Sequence, residues 1–377
     1  MRPLRLFTPG PLNTSQPVRH AAAADLGSRT PAATELSKQL RLALAEIAGC
    51  DEQWNTIPLQ GSGTFAVEAM LCSFIGPRDH LLILENGVYS QRMVTICELH
   101  NIRHTALSLD SYQGIDLAKV EAALNANPDI THLAAVHFET ALGVLNDINA
   151  LTALADRCQR QVLVDAISTF GVLPLNVAAP SLMAMALSSN KGLHGLPGVA
   201  FVLARRALLE RETPPRTLSL DLKAQAAALD HSGEWRFTPP LQVMLALRQA
   251  IFEYLAQGGR LARYETYQRR MAHLLQGMAA LGFTPVIDAQ HRAPLIVTLA
   301  PHAALRCDVS QLNDYLFERQ LVIYPTKHSD PNSFRIGVMG ELSLAAINEL
   351  LAAFADFITD TAADRQPCPP VPQDMTR

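Results

Sequence analysis

The sequence predicts an α/β protein in which a large unit built on a mostly parallel sheet is followed by a smaller α+β unit. Three observations carry this. Strand-like apolar runs alternate with helical stretches up to about Asp165, the pattern turns helical from Leu241, and two more strand-like runs follow near the C-terminus. A chain of 377 residues also exceeds the size at which one simple core is usual. The large unit is placed at 1–250 and the small one at 251–365, with the proline-rich 366–377 as a disordered tail.

The opening TPGPLNTS is a loop punctuated by proline and glycine. Behind it, from about Pro31 to Ala48, Leu36, Leu40, Leu44 and Ile47 recur at helical spacing, which predicts an amphipathic helix. Strand and helix then pair as TIPLQ with AVEAMLCSFI, HLLILEN with QRMVTICELH, and ITHLAAVHF with INALTALADRC, and QVLVDAI opens a further strand. Such alternation calls for parallel neighbours with helices on both faces. Leu241 to about Gly282 reads as helix broken at Gly258-Gly259, PLIVTLA and LVIYPT as strands of the smaller unit, and Leu344 to Ile358 as the helix that closes it.

With 49% hydrophobic and 18% charged residues the composition is that of a globular protein, and a net charge of -4 without blocks of like charge leaves no footprint for nucleic acid or an anionic membrane. The cysteines at 50, 72, 97, 158, 307 and 368 are scattered, so neither a metal site nor a disulfide framework is expected. Prolines interrupt the N-terminus before a signal peptide could form, and no apolar run is long enough for a membrane span. The expectation is a soluble cytoplasmic protein with reduced thiols.

In a sheet of this kind ligands gather beyond the carboxyl ends of the strands. Four loops qualify there: GSGT (61–64), ENGVYSQR (85–92), HFETALG (137–143) and DAISTFG (165–171). GSGT is either a phosphate cradle at a helix N-terminus, with Ser62 and Thr64 as extra donors, or a tight turn capped by Thr64. Asp165 ends an apolar strand, where an ionised carboxylate needs a cation such as a protonated pyridine nitrogen; otherwise it caps the following turn. Lys191, in ALSSNKGLHGLPG, suits an imine-forming amine or a solvated side chain. Tyr89 is a ring-stacking aromatic or plain core, and His137 and His194 read as structural hydrogen bonders. Phosphate loop, aromatic, strand-end Asp and loop Lys are the parts that pyridoxal 5'-phosphate needs.

The ordered run of FTPGPLNTS, PLQGSGTFAVEA, NGVYSQRM, VDAISTFG, SSNKGLHGLPGVAFV, LSLDL, GEWRFTPP and YPTKHSDPNSFRIGVMGE resembles the fold-type I, class V aminotransferases over nearly the whole chain. Within them it is most similar to the branch that moves the amino group of 2-aminoethylphosphonate to pyruvate. The resemblance implies a large cofactor-binding domain with a mostly parallel seven-stranded sheet, a small C-terminal domain, and a homodimer with active sites at the interface. It makes Lys191 the Schiff-base lysine, Asp165 the partner of the pyridine nitrogen and Tyr89 the stacking aromatic. Ser62, Gly63 and Thr64 become phosphate ligands, with Asn190 as a helper. Thr238 would reach the cofactor phosphate of the neighbouring subunit, and Arg335 would bind the acid group of the substrate.

Departures from the pattern at Thr30, Ala141, Leu142, Gly192 and Thr326 leave the substrate open. The rivals on the same scaffold are an ammonia-lyase acting on 1-hydroxy-2-aminoethylphosphonate and an alanine- or serine-glyoxylate transaminase. A non-catalytic protein holding a phosphorylated ligand at GSGT stands outside enzymology altogether.

Overall fold

A computed structural model describes residues 4–302, 308–326 and 332–363. The expected tail at 366–377, like Cys307 and Cys368, lies outside the described residues. Cys50, Cys72, Cys97 and Cys158 are free thiols, and no helix among the described residues is long and apolar enough to cross a membrane.

The expected alternation folds into a seven-stranded sheet in the order Trp54–Gly61, Gly198–Arg205, Leu182–Ser188, Gln161–Asp165, His132–Val136, Leu81–Glu85, His104–Ser108. Gly198–Arg205 runs antiparallel to both neighbours, and the remaining pairings are parallel. Because successive side chains on a strand face opposite ways, Leu82 and Leu84 enter one apolar layer while Leu81 and Ile83 enter the other. Both layers are covered by helices, as near-continuous apolar strands require.

The chain passes from Leu81–Glu85 outward to the edge strand His104–Ser108 and returns to His132–Val136 on the far side. That reversal opens a crevice above the carboxyl ends of the strands, the usual ligand position in such sheets.

The helix at Pro31–Ala48 forms as its periodicity predicts, and the Gly258-Gly259 break separates the helices Leu241–Ala256 and Gly259–Ala280. In the smaller unit Phe283–Pro285, Ile296–Pro301, Phe334–Gly337 and Tyr324–Pro325 make an antiparallel sheet, closed by the helix Leu344–Ala363. Phe283, Phe334 and Phe354 meet in its core.

One expected element is two. LVIYPT divides at the buried Ile323: Leu321–Val322 pairs in parallel with Arg5–Leu6, whereas Tyr324–Pro325 joins Phe334–Gly337. A local apolar pattern does not distinguish one strand from two when the partners lie far apart in sequence.

Candidate active site

The loops at the strand ends enclose a cleft of about 200 Å³. Ser62, Gly63, Thr64, Tyr89, Asp165, Asn190 and Lys191 all line it, so seven expected site residues from four separate segments come together. Ser62 stands at the N-cap of the helix Gly63–Phe74, and its hydroxyl makes no capping bond. It stays available beside a helix N-terminus, where unpaired N–H groups and the helix dipole favour an anion.

Asp165 is the last residue of its strand, and its Oδ1 accepts a hydrogen bond from Ile167 N at 2.9 Å. Burial pushes its carboxyl up to about 6; the Ile167 bond and the positive charges of Arg92 and Lys191 act the other way. A buried carboxylate whose nearest charges are cations is a site for a further cationic partner.

Lys191 reaches across to the N-terminal loop, where Nζ donates to Pro9 O at 2.5 Å. Its loop is held from outside the cleft. Arg263 Nη1 donates to Gly192 O at 3.0 Å, and the His194 ring bonds Tyr267 Oη while accepting from Gly340 N at 3.0 Å. His194 is therefore the structural hydrogen bonder its context suggests. His137 is not: its ring Nδ1 is buried without a partner.

Two groups escaped the sequence reading: Arg92, which lines the cleft, and Glu139, buried behind its wall. Arg92 donates from Nη1 to Thr64 Oγ1 at 2.8 Å and lays its guanidinium 4.8 Å from the centre of the Tyr89 ring, tying the phosphate-type loop to the aromatic. The signal for it was spacing, because Tyr89 and Arg92 are three apart at the start of the helix Val88–Leu99 and so share a face. Glu139 is fully buried and accepts from Tyr89 N and Ala141 N, each at 3.0 Å. Gly87 makes room for it, since a Cβ there would come within 2.4 Å of the Glu139 side chain. Burial pushes the Glu139 carboxyl up to about 7; its two N–H donors pull it down, Asp165 adds to the rise and Arg335 opposes it.

Two expected site residues do not line the cleft. Thr238 lies in a separate groove of about 390 Å³ with the half-exposed Phe65 and Phe237. Arg335, on the strand Phe334–Gly337, is buried behind the Thr140 wall of the cleft. Its Nη1 donates to Thr140 O and its Nη2 to Pro325 O, both at 3.0 Å, while its Nε has no partner.

The departures have local causes as well. Thr30 is an N-cap, its hydroxyl accepting from Ala33 N at 3.3 Å. Ala141 and Leu142 are buried, Leu142 packing with Val144 and Ile287, and neither lines the cleft, whereas Thr140 does. Gly192 leaves no space for a side chain, since a Cβ would stand 2.3 Å from Phe170 O.

Residues 16–322 match the family described as aminotransferase class-V. The 2-aminoethylphosphonate:pyruvate transaminase of Burkholderia ambifaria is 39% identical over 352 residues, covering 93% of this chain and 94% of the relative. The enzyme of that name from Salmonella paratyphi B is 40% identical over 351 residues, 92% of this chain and 96% of its own. Among solved structures, alanine-glyoxylate aminotransferase from Nostoc sp. superposes with a TM-score of 0.87 at 22% identity, covering 94% of this chain and 95% of that one. Pyridoxamine-pyruvate aminotransferase from Mesorhizobium loti gives 0.86 at 20% identity, covering 97% and 94%. Fold, cleft and relatives agree: this chain belongs to the class-V aminotransferases, a family that works with pyridoxal 5'-phosphate.

Proposed function

We propose that the chain transfers the amino group of 2-aminoethylphosphonate to pyruvate, releasing phosphonoacetaldehyde and L-alanine. The observation that carries this reading is identity of 39–40%, spread over 92–93% of the chain, with transaminases of that name. It is supported by the position of the departures at Ala141, Leu142 and Thr326, none of which lines the cleft.

The donor set suits the cofactor of the family: a helix N-terminus with the uncommitted Ser62 hydroxyl, a buried carboxyl, an amine and an aromatic ring on one cleft. Bound there, pyridoxal phosphate supplies an aldehyde that takes up amino groups and a protonated ring that draws electrons from the neighbouring carbon. Lys191 Nζ is the amine that would hold the cofactor and the base that would move a proton at the substrate carbon. Asp165 would keep the proton on the ring nitrogen, a cation that would offset the burial of its carboxylate. Ser62, Gly63, Thr64 and Asn190 would hold the phosphate, and Tyr89 would stack against the ring. Thr238, outside its own cleft, serves the phosphate of a partner subunit, which makes the working unit a homodimer.

Arg335 binds the acid group of either substrate. A buried N–H donor without a partner carries a cost that an anion oxygen removes, and the Nε of Arg335 is such a donor. Phosphonate and carboxylate both present oxygens to its planar fork.

The purified protein, incubated with 2-aminoethylphosphonate with and without pyruvate, is assayed for alanine, aldehyde and ammonia. Alanine and aldehyde in equal amounts, only when pyruvate is present, is the expected result. Ammonia released from 1-hydroxy-2-aminoethylphosphonate without pyruvate would replace this reading by the lyase, and no turnover of any phosphonate would overturn both.

A further inference from the structure

A second cavity, of about 740 Å³, lies on the other side of the loops that wall the cleft. The division falls residue by residue: Val136 and Phe138 line the cleft, whereas His137 between them lines the second cavity. Likewise Asp165, Ile167 and Ser168 face the cleft, and Val172, Leu173 and Pro174 face away from it.

Two helix N-termini meet in this cavity. Asp147 and Ile148 begin the helix Ile148–Arg157, and Arg260 and Leu261 lie in the first turn of Gly259–Ala280, whose N-cap Gly258 offers no side-chain bond. Both ends favour negative charge. Arg260 adds a full positive charge and makes no ion pair or hydrogen bond among the described residues. Asp147 is the one carboxylate in the lining, and its Oδ1 is taken by Ala150 N of its own helix at 2.9 Å.

An independent observation points the same way. The His137 ring is 5% exposed, lies close enough to Asp147 for its charge to be felt, and carries a buried Nδ1 with no partner. A ring this deeply buried is ordinarily hydrogen-bonded, and His137, which lines the cavity, has no side-chain hydrogen bond among the described residues. His291 also lines the cavity, its Nδ1 accepting from Gly114 N at 3.3 Å and its Nε2 lying 3.2 Å from Gln290 Nε2. Leu145, Val172, Leu173 and Leu261 supply the apolar part of the wall, beside Asn146, Asn149, Tyr264 and Gln290.

We infer that this cavity is a second binding site, distinct from the cofactor cleft, for a small organic acid: its acid group between Arg260 and the two helix ends, its apolar body against Leu145, Val172 and Leu173. The chemistry selects a carboxylate with a hydrocarbon body over either part alone.

The test is calorimetric titration of the holoenzyme with 4-phenylbutyrate, with 4-phenylbutanol and inorganic phosphate as partial probes. One phenylbutyrate per chain is expected, with the alcohol and phosphate each at least tenfold weaker. Arg260→Ala, at the surface end of a helix, is expected to weaken the acid at least tenfold while the cofactor absorbance stays intact. Arg92→Ala, in the cleft, is expected to leave it within twofold. No saturable binding, an unchanged affinity in Arg260→Ala, or a loss in Arg92→Ala would each overturn the inference, the last by putting the probe in the cofactor cleft.

Discussion

Arg92 and Glu139 show what single residues do in this site without being its most conspicuous members. Arg92 ties Thr64 to Tyr89, so Arg92→Ala removes one charge-assisted hydrogen bond and one cation–π contact. Together these are worth enough to weaken pyridoxal phosphate binding about tenfold, which a spectroscopic titration of the cofactor-free protein measures. Glu139 gives a pH signature. Its carboxyl is raised from 4.5 to about 7, so its contribution to stability is fully present below about pH 4.5 and is lost as pH rises through about 7. Gln at 139 does not titrate and satisfies only one of the two N–H donors. The cofactor-free parent should therefore exceed Glu139→Gln in stability by a margin that shrinks between about pH 5 and pH 8 by on the order of 2–3 kcal/mol. Urea unfolding at both pH values reads it, and a margin independent of pH would contradict the buried, raised carboxyl. Neither residue was singled out from the sequence, because the residue type of Arg92 or Glu139 does not say which way its side chain turns.

At the scale of elements, the loop carrying Lys191 is fixed by what presses on its neighbours. Arg263 and Tyr267, one helical turn apart on Gly259–Ala280, hold Gly192 O and His194, while Phe170 O closes the space where a side chain at 192 would go. Gly192→Ala, and equally Gly192→Cys, should cost about 1–3 kcal/mol by overpacking, seen as a lowered thermal midpoint with reduced turnover. A neutral cysteine there would show that the two loops are not packed this closely. The strands and helices of the large sheet were legible because burial on both faces writes continuous apolar runs, as in Leu81–Glu85 and Gln161–Asp165. Arg5–Leu6 and the division at Ile323 were not, because that pairing depends on a partner more than three hundred residues away.

For the whole molecule, seven of the nine expected site residues line one cleft and two, Thr238 and Arg335, lie outside it. Lys191, Asp165 and the GSGT loop were readable because chemistry and strand ends coincide. Thr238 and Arg335 depend on context beyond a local pattern: Arg335 sits on the smaller sheet, and the role proposed for Thr238 needs a second subunit. Thr238 belongs to the same groove as Phe65 and Phe237, large apolar side chains left about half exposed in the single chain. Sedimentation equilibrium should give twice the chain mass, and Phe237→Asp should shift it toward the single chain with weaker cofactor binding. A monomer that binds cofactor tightly and turns over substrate would contradict the role given to Thr238.

The account depends above all on which amine carries the cofactor. Borohydride reduction of the holoenzyme, followed by proteolysis and mass spectrometry of the peptides, reads this directly. The expected result is a single pyridoxyl group on the peptide containing Ser189, Asn190 and Lys191, placed on Lys191. A label on any other lysine, or none, would contradict it.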